Sequence, residues 1–171
     1  MRISKFAGLP AHPLFVHLPV VLIPLVAIGA VAMACSARVR ERLGWVVLGL
    51  AIVAGLSTQL AIGSGKALQD SVQKSSALDR HIAIAESIRP LALLLFLVAL
   101  GVMLVDRRTK GAWPFRSETA AATPSVTARG ALMALTILVA ITTCVRLYQI
   151  GDTGAKATWQ NTHIVSSADD G

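Results

Sequence analysis

Four long apolar runs dominate the pattern of hydrophobic and polar positions along the chain. They cover about residues 14–35, 43–63, 82–105 and 130–150. Each has about the 20 residues that an α-helix needs to cross the hydrocarbon core of a bilayer. The pattern predicts an all-α fold, an integral membrane four-helix bundle. We expect one transmembrane domain over residues 1–159 and a flexible polar tail over residues 160–171.

Composition agrees with this prediction, because 54% of the 171 residues are hydrophobic and only 15% are charged. In a membrane protein the placement of Lys and Arg indicates topology. The first and third connections carry eight of these residues, whereas the termini and the second connection carry six. We therefore expect both termini to be extracytoplasmic. The net charge of +7 is explained by topology, so no nucleic-acid partner is expected.

Polar side chains fall near one depth in all four predicted spans. Counting about 20 residues outward from the cytoplasmic ends places His17, Gln59, Glu86, Arg89 and Arg146 close to the outer boundary. Ionisable groups within spans are costly and often mark a functional site. The alternative is a structural collar that ties the helix ends together. His12 and Asp152 lie just outside the spans and complete the candidate polar cluster with Gln59 and Glu86.

Two histidines from different helices favour a haem site. His17 and His81 could be the two axial ligands of one haem iron, and Arg89 and Arg146 could pair with the propionates of haem b. His12 is the alternative ligand from the first helix. It lies five residues from His17, about 140° around a helix, so the two do not easily share one metal. The sequence suggests no nucleophile–base pair for hydrolysis, and we assign no catalytic residue.

Two segments resemble a known family. Residues 8–19, GLPAHPLFVHLP, resemble the opening H-P-x-x-V-H-x-P signature of the bacterial membrane proteins called domain of unknown function 2231, DUF2231. Residues 148–159, YQIGDTGAKATW, are similar to that family's closing Gly-[His or Asp]-x-Gly-Ala segment. The resemblance implies a four-helix protein of the bacterial inner membrane with unassigned activity. Some relatives are joined to redox domains, which favours haem; Asp152 stands where others carry histidine, which removes one possible ligand.

Three functions remain open from the sequence. The first is a haem-binding electron-transfer or quinone-linked module, the second a small transporter or sensor of an anion, and the third a non-catalytic structural subunit. The bilayer is the expected partner in each case, with a redox protein or a second copy of the chain as further candidates. Internal repeats would favour transport, and none is evident in the sequence.

Overall fold

The structure is a computed structural model that describes residues 5–6, 9–69, 75–109 and 125–159. In this part of the chain a short antiparallel strand pair precedes five α-helices, whose bounds are β1 Lys5–Phe6, β2 Leu9–Pro10, α1 Ala11–Cys35, α2 Ala37–Gln69, α3 Ser76–Ala85, α4 Ile88–Thr109 and α5 Val126–Trp159. The predicted tail over residues 160–171 lies outside the described residues, as does most of the third connection.

Four helical segments are long and apolar enough to cross a membrane. They are α1, α2, α3 continued by α4, and α5, which confirms the predicted all-helical membrane architecture. Two of these helices are longer than their apolar runs. The 33 residues of α2 and the 34 of α5 each reach about 50 Å at 1.5 Å per residue, whereas the hydrocarbon core is about 30 Å thick. The ends of both helices therefore project beyond the core.

The third predicted span is divided by a turn at Glu86 and Ser87. Helix α3 begins at a capped end, where the Ser75 hydroxyl accepts the Leu78 N–H at 3.2 Å. It ends where Pro90 lacks the N–H that would bond to the Glu86 carbonyl. That carbonyl accepts the Arg89 N–H at 3.3 Å instead. The break makes α3 a separate short helix, which packs mainly against α5.

Small residues bring the spanning helices close together. The buried core contains a large share of alanine, at positions 27, 30, 51, 54, 99 and 140, as expected where packing, not apolar burial, drives association in lipid. Gly29 of α1 is so near α2 that an added Cβ would lie 2.8 Å from a Val47 methyl. The outer surface is apolar, as Ile28, Trp45 and Leu138 illustrate at 62–68% exposure. This surface is suited to contact with lipid.

We expect Gly29→Ala to lower the thermal unfolding temperature of the protein in detergent. The new methyl would overlap Val47, whose β-branched side chain has little rotamer freedom in a helix, and overpacking of this kind costs about 1–3 kcal/mol. Gly49→Ala is the matched control, because its Cβ would meet no described atom within 4 Å. Equal melting temperatures for the two variants would contradict the close approach of α1 and α2.

Candidate functional site

The candidate site lies at the end of the bundle where α1 begins and α2 and α5 end, which we call the terminal end. Contacts from α1 to α2 and from α3 to α5 bring these helix ends together. They are the parts of α2 and α5 that continue past the apolar runs. Four of the polar side chains singled out in the sequence lie in this region: His12, His81, Glu86 and Asp152.

His12, in the first turn of α1, is held by the end of α2. Its Nδ1 lies 2.9 Å from the Ala61 carbonyl oxygen and 3.4 Å from the Ser64 hydroxyl. Ser64 donates its own hydrogen to the same carbonyl at 2.9 Å. The ring is pressed against Gly65, where an added Cβ would lie 3.0 Å from the imidazole Cε1. Because Gly65 has no side chain, the His12 ring fits directly against the backbone of α2.

His81, on α3, is held in the same way by the end of α5. Its Nδ1 lies 3.2 Å from the Thr153 hydroxyl. Thr153 donates to the Gln149 and Ile150 carbonyls at 2.9 and 3.1 Å. An added Cβ at Gly154 would lie 3.0 Å from the imidazole Cε1.

The two histidine contacts are equivalent, and the chain is built from two helical hairpins that repeat them. In each hairpin a histidine near the beginning meets two groups on the returning helix: a hydroxyl that donates to the carbonyl three residues before it, and the glycine directly after that hydroxyl. The matching sets are Ala61, Ser64 and Gly65 for His12, and Ile150, Thr153 and Gly154 for His81. This repeat was not predicted from the sequence. In the sequence, the two hairpins share only a histidine and a later Ser-Gly or Thr-Gly pair. The apolar stretches between these residues are not similar in the two hairpins.

The hydrogen bonds decide which nitrogen of each neutral ring carries the proton. A carbonyl oxygen can only accept, so Nδ1 of neutral His12 is the donor. While the Thr153 hydroxyl donates within α5, its oxygen accepts from Nδ1 of neutral His81. In the neutral ring the lone pair then lies on Nε2. His12 and His81 lie at the same end of the bundle, one in each hairpin. The terminal end thus carries one imidazole from each hairpin, and each neutral ring has a lone pair on Nε2.

His17 is placed differently from these two rings. It is exposed on the surface of α1, and its Nδ1 bonds to the Pro13 carbonyl of its own helix at 2.6 Å. His17 lies about 140° around the axis of α1 from His12, whose ring contacts α2.

Other members of the predicted cluster form ion pairs. Glu86 lies 2.6 Å from Lys66, so this pair joins the α3–α4 turn to the end of α2. Asp152 lies 2.7 Å from Lys156, one turn away on α5. Both pairs are substantially exposed, and exposed pairs contribute only about 0–1 kcal/mol to stability.

The remaining predicted residues are spread around the bundle. Gln59 is exposed on α2, whereas Arg89 and Arg146 are half-buried. The Nε of Arg89 is buried without a hydrogen-bond partner among the described residues. Arg146 lies seven residues before Thr153, on the same face of α5 and about 10 Å deeper.

A polar groove opens beside the His81 contact. It has a volume of about 610 Å³ between α3 and the end of α5 and includes Thr153 in its wall. Its charged lining residues are Arg80 and the Asp152–Lys156 ion pair, and Trp159 is 66% exposed at its edge.

The described residues contain no group of three or more His, Cys, Asp or Glu side chains that could hold a metal ion. A tetrahedral zinc site would need three or four such ligands. Two imidazoles suit a metal that takes its other ligands from a cofactor, and haem iron is such a metal.

Four spanning helices with paired histidines at one end define a multi-pass membrane protein. The chain belongs to the DUF2231 family of predicted membrane proteins, whose family model matches residues 8–167. This match confirms the resemblance of the opening and closing segments. No curated protein and no solved structure matches the chain.

We expect Gly154→Ala to displace the His81 ring, since a Cβ there would lie 3.0 Å from Cε1 and 3.3 Å from Nδ1. The hydrogen bond to Thr153 should weaken, and the Nδ1 resonance of His81 should move in ¹⁵N NMR spectra of histidine-labelled protein. Gly151→Ala, on the same helix, would meet no described atom within 4 Å and should leave the resonance unchanged. An identical His81 signal in both variants would refute the tight contact.

Proposed function

We propose that the protein binds haem b between histidines of its two hairpins and acts as an electron-transfer or quinone-linked module of the bacterial inner membrane. The observation that carries the proposal is the matched pair of imidazoles. His12 and His81 each donate through Nδ1 to a neighbouring helix and keep an Nε2 lone pair, and both rings lie at the same end of the bundle.

The chemistry of these donors fits haem iron. A metal-ligating histidine usually donates its other ring N–H to a carbonyl, carboxylate or water, which fixes the tautomer and raises the basicity of the ligand. The Ala61 carbonyl and the Thr153 hydroxyl would serve this purpose here. The sequence pairs His81 with His17, whereas the geometry favours His12, since His17 is exposed and bonds within its own helix.

Bound haem would supply one-electron redox chemistry at the terminal end. The chain's own residues orient the axial rings and provide positive charge for the propionates. Arg89 has a buried Nε without a partner among the described residues, and Arg146 shares a helix face with Thr153. Both suit a carboxylate, because guanidinium groups bind carboxylates through charge-assisted hydrogen bonds.

The excess of Lys and Arg in the first and third connections supports an extracytoplasmic terminal end. Haem at that end would lie near the membrane surface, where a redox partner protein could approach the groove between α3 and α5.

The repeat of two hairpins raises the alternative of an anion transporter. Transporter sites lie near the middle of the bilayer, between the repeats. The histidine pair instead lies at one end, and the core beneath it is closely packed with apolar residues such as Ile23, Ala30, Leu95 and Ala99. The geometry therefore favours a cofactor held at the end of the bundle over a solute path through it.

We expect protein expressed with ample haem supply and purified in detergent to show a sharp α-band in the dithionite-reduced minus oxidised visible spectrum. His81→Ala and His12→Ala should each remove the band, because one axial ligand is lost. His17→Ala is the matched control on the same helix and should keep it.

Loss of the band in His17→Ala but not in His12→Ala would restore the pairing of His17 with His81. A colourless wild-type protein would refute haem binding. If His12→Ala and His81→Ala then only lowered the melting temperature, the histidine contacts would be structural ties.

A further inference from the structure

His17 places a hydrogen-bond acceptor on the surface that faces lipid. Because the Pro13 carbonyl at 2.6 Å can only accept, Nδ1 of the neutral ring carries the proton and Nε2 carries the lone pair. His17 makes no other hydrogen bond within the described residues, and its side chain is exposed. The acceptor is therefore available to a molecule outside the bundle.

The surroundings of His17 are apolar on both sides along α1. Leu14 lies one turn nearer the terminal end, Leu18 is adjacent, and Val21 lies one turn deeper; they are 54%, 48% and 64% exposed. Leu14 continues the exposed apolar surface of α1 past His17 toward the terminal end, and a surface of this kind is suited to contact with lipid. A polar side chain facing lipid is costly, and such residues commonly mark a functional contact.

We propose that His17 binds the hydroxyl group of a quinol dissolved in the bilayer. The ligand must enter from lipid, must fit against Leu14, Leu18 and Val21, and must carry a donor for the Nε2 lone pair. A quinol has an apolar tail and phenolic O–H donors. The oxidised quinone has only carbonyl acceptors, which cannot bond to a lone pair, so the site selects the reduced form.

This inference rests on the proposed function, because a quinol is the membrane-soluble electron donor that a haem module would use. It assigns His17 and His12 different tasks on one helix. His12 faces α2 and the interior, and His17, about 140° around the helix, faces the lipid.

The test is ¹⁵N NMR of histidine-labelled, haem-free protein in phosphatidylcholine nanodiscs, titrated with decylubiquinol under reducing conditions. We expect the Nε2 resonance of His17 to move toward the position of a hydrogen-bonded nitrogen. The resonances of His12 and His81 should stay in place. The spectrum of His17→Ala identifies the signal, and Leu18→Ala is the matched substitution of the lipid-facing surface that leaves the acceptor intact.

Two further titrations identify the source of the hydroxyl. Decylubiquinone should leave the His17 signal unchanged, as should nanodiscs enriched in phosphatidylglycerol, whose headgroup also carries hydroxyls. An unmoved His17 signal with decylubiquinol, or an equal movement with either alternative, would overturn the inference. Because no haem is present, failure here is separate from failure of the visible spectrum.

Discussion

The hydrogen bond from each histidine ring to the neighbouring helix is the interaction on which the terminal end depends. A polar group that is partly buried between helices needs a hydrogen-bond partner there. His12 and His81 find theirs by donating Nδ1–H across a helix pair, and the hydroxyls of Ser64 and Thr153 turn back to their own helices. The same bond fixes the tautomer of each ring. The bond therefore anchors each ring, and under the proposed function it would also leave Nε2 for the haem iron.

Small residues make that arrangement possible. Gly65 and Gly154 leave room for an imidazole directly against a helix backbone, and any larger residue would push the ring away. Deeper in the bundle, Gly29 lets α1 approach α2 closely, and the alanine-rich core lets the spanning helices pack closely against one another. Close helix packing thus determines both the stability of the bundle and the position of its polar groups.

The four spans and their polar ends could be predicted from the sequence, because apolar length and charge placement follow directly from the thickness and polarity of a bilayer. Counting residues gives depth along each helix, so it placed His17, Glu86 and Arg146 near one level. It does not give rotation about the helix axis, and that rotation brings His12 to α2 and turns His17 outward. A signal was available: Ala30 lies 18 residues after His12, about five full turns, so the buried stripe of α1 continues to His12.

Other features required the folded chain. Residues 64–69 of α2 and 151–159 of α5 continue as helix past the apolar runs, since their contacts with α1 and α3 stabilise helix that apolar length alone does not predict. The pairing of Glu86 with Lys66 joins elements whose approach only the packed bundle defines.

Under the proposed function, His12 and His81 of opposite hairpins would hold one haem iron together. This is tested by the electron paramagnetic resonance spectrum of the oxidised, haem-loaded protein in nanodiscs. We expect a low-spin ferric signal typical of two axial imidazoles. A high-spin signal, with one histidine ligand or none, would contradict it.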